Sequence, residues 1–206
     1  MRVLLVHGLG RSPLSMAFLA RRLSKSGHRP AFFAYSPLLE SHDRIVSRLI
    51  ARLRRLGAHG TEVGLIGHSF GGLVLREALA HVPELRVRHL VMFGTPNQTP
   101  RLAVRARRWL PYRWLRRSCG DCLGSPEWFD QLPAVSSPYT IVAGTAGWRG
   151  RRSLFQGEPN DGLVAVSETM VTDRDEPALF PVIHTLMMND RAVYRLIADR
   201  LENAAR

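Results

Sequence analysis

The sequence predicts an α/β protein in which a mostly parallel sheet of about six strands is flanked by helices. Two observations predict it: short apolar runs typical of strands buried on both faces recur along the chain, and helix-compatible stretches lie between them. The predicted strands cover residues 3–7, 31–35, 63–66, 87–93, 139–144 and 178–183. Because parallel strands need crossover connections, this alternation indicates a parallel sheet with helices on both faces. At 206 residues the chain suits a single domain, 1–206, with a full core.

The first two helical stretches carry start and stop signals. Ser12 and Pro13 supply a cap and a first-turn proline for the helix after the first strand, and Gly27 can end it. The second helix begins at Ser41 or Asp43 and ends at a glycine. Its apolar face carries Ile45, Leu49, Leu53 and Leu56.

The later part of the chain contains two further helices and one irregular region. The helix after the third strand runs to about His81, ahead of Pro83. The last helix begins near Asn189 and has a regular apolar face. Residues 97–135 break the alternation, which indicates a cap or insertion after the fourth strand.

Composition is ordinary for a globular protein, with 45% apolar and 22% charged residues. A net charge of +12 would suit a nucleic-acid partner. However, Lys25 is the one lysine among 29 basic residues, and the arginines are spread over most of the chain. This bias is typical of a GC-rich genome rather than of a phosphate-binding surface, so we expect no nucleic-acid partner.

The first apolar run is too short for a targeting segment, and the cysteines are too few for a metal site. Four apolar residues before His7 cannot form a signal-peptide core or a membrane span, so we expect a cytoplasmic protein. Cys119 and Cys122 form one pair with no second pair or nearby histidine, which falls short of a zinc site. We expect no metal and no cofactor.

The strongest functional signal is Gly-His-Ser-Phe-Gly at 67–71, between a strand-like run and a helix-compatible stretch. This is the nucleophile-elbow pattern, in which glycines let strand and helix approach closely around a strained serine. We expect the Ser69 hydroxyl to be exposed at the carboxyl edge of the sheet, at the N-terminus of the next helix.

A serine nucleophile needs a general base, and the base needs an acid that fixes its tautomer. In elbow-type hydrolases these follow in the order serine, acid, histidine. After Ser69, only His184 directly follows a late strand; His81 and His89 follow no plausible acid on a later strand. Asp161 lies in a turn between the fifth strand and His184 and is the candidate acid. The competing carboxylates are Asp130, Glu158, Glu168, Asp173 and Asp175.

Acyl transfer also needs two backbone N–H groups for the oxyanion of the tetrahedral intermediate. Phe70, directly after the serine, supplies one candidate. Leu9, in the glycine-containing loop after the first strand, supplies the other. We interpret His7 as a structural residue of that loop, whereas His68 is compatible with either role.

Five motifs occur together in an informative order: His-Gly-Leu-Gly at 7–10, the elbow at 67–71, Gly-Thr-Pro at 94–96, Asp-Gly-Leu-Val at 161–164 and His-Thr at 184–185. In the identity and order of these motifs the chain resembles α/β-hydrolases, and in detail the small lipase- and esterase-like members. The resemblance covers nearly its whole length apart from about 97–135. The resemblance implies a minimal α/β-hydrolase fold with Ser69 as nucleophile, Asp161 as acid and His184 as base. It implies Leu9 and Phe70 as oxyanion donors.

The function expected from these features is hydrolysis of a small-molecule or lipid carboxylic ester through an acyl-enzyme. A thioesterase, an amidase or an acyltransferase would use the same residues, because the triad does not specify the leaving group. A non-catalytic binding module of the same fold is a further alternative, although such modules usually lose a triad member or an elbow glycine.

The segment 101–117 alternates apolar residues with seven arginines and follows the fourth strand, which places it at the same sheet edge as Ser69. We expect a cap in which Trp109 and Trp114 contact substrate. Peripheral membrane contact through tryptophans and arginines is a second interpretation, and a surface helical hairpin with solvated arginines is the third.

Overall fold

In the computed structural model of the protein, which describes residues 1–58, 60–106, 119–150 and 153–203, six parallel strands form one sheet. The strands are β1 (Arg2–Val6), β2 (Arg29–Phe33), β3 (Val63–His68), β4 (Val87–Phe93), β5 (Tyr139–Gly144) and β6 (Ala178–Phe180). Their order across the sheet is β2-β1-β3-β4-β5-β6. All six predicted strands are therefore confirmed, with β4 and β5 at the predicted bounds.

The last strand is shorter than predicted, because it ends at Phe180 rather than at residue 183. Pro181 follows directly, and a proline has no N–H with which to continue the ladder. The chain turns there, and the N–H of Val182 bonds to the carbonyl of Phe180 at 2.8 Å. The turn carries residues 181–186 across the carboxyl end of the sheet.

The long helices are α1 (Ala17–Lys25), α2 (His42–Gly57), α3 (Phe70–Leu79) and α8 (Arg191–Asn203). Ser41 caps α2 through its side chain, which accepts from the N–H of Arg44. The first helix differs from the prediction, because a 3₁₀ turn at Pro13–Met16 precedes α1. The last helix begins at Arg191, where the Asp190 carboxylate accepts the N–H groups of its first turn.

The core has one apolar cluster on each face of the sheet. One face packs against α2 and α3, with fully buried Leu49, Phe70 and Leu90. The other packs against α1 and α8, with fully buried Leu23 and Ile197. Because both faces are covered, the strand ends are the exposed parts of the sheet, and the loops there are free to build a site.

Within 97–135 the structure describes three short helices, α4 (Arg101–Ala106), α5 (Cys119–Leu123) and α6 (Pro126–Asp130). Ala103, Cys119, Leu123, Phe129 and Leu132 bury their side chains in the cluster that includes α3. Trp109 and Trp114 lie outside the described residues, as does most of 101–117. Their predicted contacts with substrate or membrane therefore stay predictions.

Two of the remaining described segments complete the fold: α7 (Val166–Thr169) and a 3₁₀ turn at Met187–Asn189. No helix in the described parts of the chain combines the length and apolar character needed to cross a bilayer.

Candidate active site

Ser69 occupies a strained turn between β3 and α3. Its φ of 53° and ψ of −127° lie in a region that residues other than glycine rarely adopt. The turn is held because the N–H of Ser69 donates to the carbonyl of Phe93 on the neighbouring strand at 3.0 Å. Such strain persists only where the surroundings enforce it, and it is typical of functional sites.

The elbow glycines are required by close packing. A Cβ on Gly67 would lie 2.6 Å from the backbone nitrogen of Gly72. A Cβ on Gly71 would lie 2.8 Å from the carbonyl carbon of Val6 in β1, and one on Gly72 would overlap the Thr95 side chain. The sequence pattern and the fold therefore agree at this turn, because each glycine is in contact with backbone or with a buried side chain.

The structure brings Asp161 and His184 together. The Nδ1–H of His184 donates to Asp161 Oδ2 at 2.7 Å, and the side chains are about 6% and 1% exposed. The other carboxylate oxygen, Oδ1, accepts the N–H groups of Leu163 at 2.9 Å and Val164 at 2.7 Å. The carboxylate is thus fixed in orientation, and its bond to Nδ1 leaves Nε2 of His184 as the unprotonated ring nitrogen.

The turn that carries Asp161 is itself braced by Asn160. This fully buried side chain accepts the N–H of Gly162 at 2.9 Å, and its Nδ2 donates to the carbonyls of Glu158 at 2.9 Å and Trp148 at 3.2 Å. Gly162 has a φ of +98°, a conformation that glycine adopts without steric cost. Asn160 was not predicted as a site residue, although Asn-Asp-Gly is itself a turn signal.

His68 contacts His184 from the strand below the elbow. Its Nε2–H donates to the carbonyl of His184 at 3.1 Å, and the two rings lie 4.8 Å apart. Burial, first of all, and then electrostatic interactions with the nearby His184 and Arg11 side chains lower the pKa of His68 well below 6.5. His68 is therefore a neutral donor that holds the backbone of His184, which decides between the two roles that the sequence allowed.

The loop after β1 lies directly against the elbow. A Cβ on Gly8 would lie 3.0 Å from the Cβ of Ser69, so glycine permits this approach. His7 holds the loop, with its Nδ1–H donating to the Gly8 carbonyl at 2.9 Å and its ring stacked on Tyr35 at 4.3 Å. The structural interpretation of His7 is confirmed.

The two candidate oxyanion donors belong to the two segments that meet here, the loop after β1 and the elbow. Leu9 belongs to the loop after β1, and Phe70 is the first residue of α3. Within the described ranges, no backbone or side-chain acceptor takes the N–H of either residue. Neither N–H is therefore committed to an acceptor among the described residues, and Phe70 as a whole residue is fully buried.

Ser69 and His184 line one cavity of about 360 Å³. Its wall includes Leu102, Ala103 and Ala106 of α4 and Leu123 of α5. The remaining apolar lining consists of Leu9, Pro96, Pro100, Leu163 and Val164. The cavity is therefore largely apolar, and helices from 97–135 contribute to it.

Two of the competing carboxylates bind Arg101 instead of His184. Glu168 is 4% exposed and accepts the backbone N–H of Arg101 at 2.9 Å and its Nε–H at 2.7 Å. Glu158 binds the same guanidinium at 2.5 Å. The sequence did not reveal this cluster, which joins the start of α4 to the loop that carries Asp161.

The other three competing carboxylates lie away from His184. Asp130 ends α6 and Asp173 is exposed in a loop. Asp175 accepts the hydroxyl of Tyr139 at 2.6 Å, at the amino end of β5. Of the six carboxylates considered, Asp161 is thus the one that contacts the His184 ring.

Comparison with known proteins gives a match over most of the chain. A sequence model described as the alpha/beta hydrolase family matches residues 3–206. No curated protein matches the sequence significantly.

Three solved structures illustrate the structural likeness. The mature lipase BlEst2 of Bacillus licheniformis has a TM-score of 0.73 and 22% identity, covering 97% of this chain and 91% of that chain. A structure of LipS and LipT, two metagenome-derived lipolytic enzymes, has a TM-score of 0.69 and 17% identity, covering 98% and 94%. The thioesterase domain of the curacin biosynthetic pathway has a TM-score of 0.65 and 15% identity, covering 96% and 90%. At these identities the likeness concerns the fold.

Proposed function

The chain belongs to the alpha/beta hydrolase family, and from this premise we propose that it is a serine hydrolase that cleaves carboxylic esters. The strongest support for this proposal is that a candidate nucleophile and a candidate base occur together at one cavity. A strained serine and a histidine paired with a carboxylate at 2.7 Å line the same largely apolar cavity. Each feature occurs alone in many proteins, but together they supply a nucleophile, a base and a place for an acyl group.

In the proposed first half-reaction the Ser69 oxygen attacks the ester carbonyl carbon while Nε2 of His184 takes the hydroxyl proton. The N–H groups of Leu9 and Phe70 donate to the oxyanion that forms. Asp161 stabilises the resulting imidazolium through its bond to Nδ1 and stays ionised. The intermediate collapses, the carbon–oxygen bond to the alcohol breaks, and the alcohol leaves with the proton from His184.

In the second half-reaction water replaces the alcohol. His184 takes a proton from the water, whose oxygen attacks the acyl carbon on Ser69. When the second tetrahedral intermediate collapses, the acid leaves and the proton returns to the Ser69 oxygen. The enzyme is regenerated, and the overall reaction is ester plus water to acid plus alcohol.

We further propose that residues 97–135 act as a cap that limits the size of the acyl group and supplies no catalytic group. The four side chains of α4 and α5 that line the cavity support this proposal. Trp109 and Trp114, which lie outside the described residues, remain the candidate acyl contacts of the cap.

The test is turnover of 4-nitrophenyl butyrate together with labelling by a fluorophosphonate, which reacts with activated serines. We expect the parent protein to do both and Ser69→Ala to do neither. Ser24→Ala, which removes an exposed serine of α1, is the matched control and should behave as the parent does. Failure of the parent to react with either reagent would favour a non-catalytic module of the same fold.

A further inference from the structure

Arg11 is the feature of the cavity that ester hydrolysis does not explain. It follows the loop that carries Leu9, and its backbone N–H donates to the carbonyl of Gly8 at 3.2 Å. Arg11 is one of the residues that line the same cavity as Ser69. Among the described residues of this lining, Arg11 is the one with a permanent charge, since the others are apolar residues, histidines and hydroxyl residues.

Arg11 also differs from other arginines near the site because no described residue binds its guanidinium. Arg101 is bound by two carboxylates, and the buried Arg76 donates to the carbonyl of Pro133 at 2.6 Å and to Asn97. In the portion of the chain that the structure describes, no carboxylate or carbonyl accepts from the Arg11 side chain, which is exposed. Among the described residues that line the cavity there is no aspartate or glutamate.

The charge of Arg11 reaches the buried site. After burial and the interaction with His184, it contributes to lowering the pKa of His68, directly before the nucleophile. A charged ligand group in this cavity would therefore meet an unneutralised positive field from Arg11.

We propose that Arg11 determines substrate specificity by binding an anionic oxygen group, a carboxylate or a phosphate, carried by the substrate. The guanidinium offers paired N–H donors whose geometry matches two oxygens of such a group. This inference rests on the proposed function, because it concerns a substrate held for attack by Ser69. It assigns the preferred substrates to esters or thioesters that carry a negative charge close to the acyl carbonyl.

The anionic group has two possible sources. It belongs either to the acyl half, as in the half-ester of a dicarboxylic acid, or to the leaving half, as in a phosphate-bearing thiol or alcohol. Both present the same chemistry to Arg11, and matched substrates separate them.

The experiment compares kcat/KM for two substrate pairs. The first pair is mono-4-nitrophenyl glutarate and 4-nitrophenyl butyrate, which differ in a charge on the acyl half. The second pair is 1-butyrylglycerol 3-phosphate and 1-butyrylglycerol, which differ in a phosphate on the leaving half. We expect the parent to prefer the anionic member of at least one pair, and that pair identifies the source.

Arg11→Gln should lower the anionic-to-neutral ratio of that pair by about tenfold, the range for losing one charged hydrogen-bonding group. Arg11→Glu should reverse the preference, and Arg11→Lys should retain part of it. Arg105→Gln, which removes the charge of an exposed arginine of α4 outside the cavity lining, is the matched control and should leave the ratio as it is.

Fluorophosphonate labelling normalises each variant for intact active sites and keeps the two proposals separable. A parent that turns over neutral esters but shows no anionic preference in either pair would overturn the role of Arg11 while leaving the serine hydrolase intact. Equal losses on anionic and neutral substrates in Arg11→Gln would also overturn it, because they would indicate general stabilisation of the oxyanion. A parent without labelling or turnover would overturn the hydrolase itself.

Discussion

The two ends of the sheet each contain a buried histidine and a cavity, yet they differ in chemistry. At the carboxyl end, His184 is bound by the Asp161 carboxylate and shares a cavity of about 360 Å³ with Ser69. At the amino end, His89 shares a larger cavity of about 590 Å³ with Arg174 and Arg200. The smaller cavity is the one that we assign to catalysis.

At the amino-end cavity the buried histidine is not paired with a carboxylate, as a base that activates a nucleophile has to be. The Nε2 of His89 bonds to the Thr140 hydroxyl at 2.8 Å rather than to a carboxylate. The neighbouring Asp175 is occupied by the Tyr139 hydroxyl and by two backbone N–H groups. Among the described residues lining this cavity, none is a serine or cysteine. Cavity size and histidine burial therefore do not identify an active site, whereas a histidine that is paired with a carboxylate and shares a cavity with a serine does.

The largest expected difference is that substitutions at the carboxyl end abolish most of the turnover, whereas a substitution at the amino end does not. Ser69→Ala and His184→Ala should each lower kcat on 4-nitrophenyl butyrate by roughly 10⁴- to 10⁶-fold, because triad members act as a unit. His89→Gln, at the other end, should leave kcat within about twofold of the parent, since its ring bonds to the Thr140 hydroxyl at the opposite end of the sheet from Ser69. Residual turnover of Ser69→Ala within tenfold of the parent would rule out Ser69 as the nucleophile.

A second pair of substitutions compares the carboxylates. Asp161→Asn should lower kcat by roughly 10² to 10⁴-fold, because the amide does not hold His184 in the tautomer with Nε2 free. Asp175→Asn should change kcat little but lower the thermal midpoint, since its carboxylate orders the 171–175 turn and binds Tyr139. If Asp175→Asn proved the more harmful to kcat, our assignment of the acid would be wrong.

A third substitution tests the wall that makes the carboxyl-end cavity apolar. Ala103→Phe on α4 should fill part of the cavity and lower kcat/KM for 4-nitrophenyl octanoate by about tenfold. The effect on 4-nitrophenyl acetate should be several-fold smaller, because a two-carbon acyl group needs less of the cavity. Equal losses on both esters would contradict a cap that selects by size.

Much of this candidate site could be predicted from the sequence, because its residues lie in short, local sequence patterns. The elbow glycines, the turn at Asp161 and the single histidine after a late strand are short signals, and parallel strands bring their carboxyl ends together. The contacts of His68 with His184 and of Arg101 with Glu168 span 116 and 67 positions of the chain, and no local pattern encodes such partners. The early end of β6 could have been predicted, since Pro181 cannot donate to a ladder.

The smallest expected effect concerns stability in acid at the amino end. Burial, and then the charges of Arg200 and Arg88, lower the pKa of His89 from 6.5 to about 4. The unfolded chain therefore binds this proton first. The stability that neutral His89 contributes is fully present above pH 6.5 and is lost as the pH falls from 6.5 towards 4.

Urea unfolding of the parent and of His89→Gln at several pH values measures this contribution. The gap between their unfolding free energies should narrow as the pH falls through that window, because glutamine does not titrate. A gap that stayed constant from pH 7 to pH 4 would mean that His89 is not held neutral by the fold.

The most direct test of the central claim is to trap the acyl group that the carboxyl-end site should transfer. The parent protein is mixed rapidly with 4-nitrophenyl butyrate, quenched in acid and mapped by peptide mass spectrometry, beside Ser69→Ala and His89→Gln. Our account predicts one butyryl group on Ser69 in the parent and in His89→Gln, and none in Ser69→Ala. A butyryl group on another residue that persists in Ser69→Ala would contradict it.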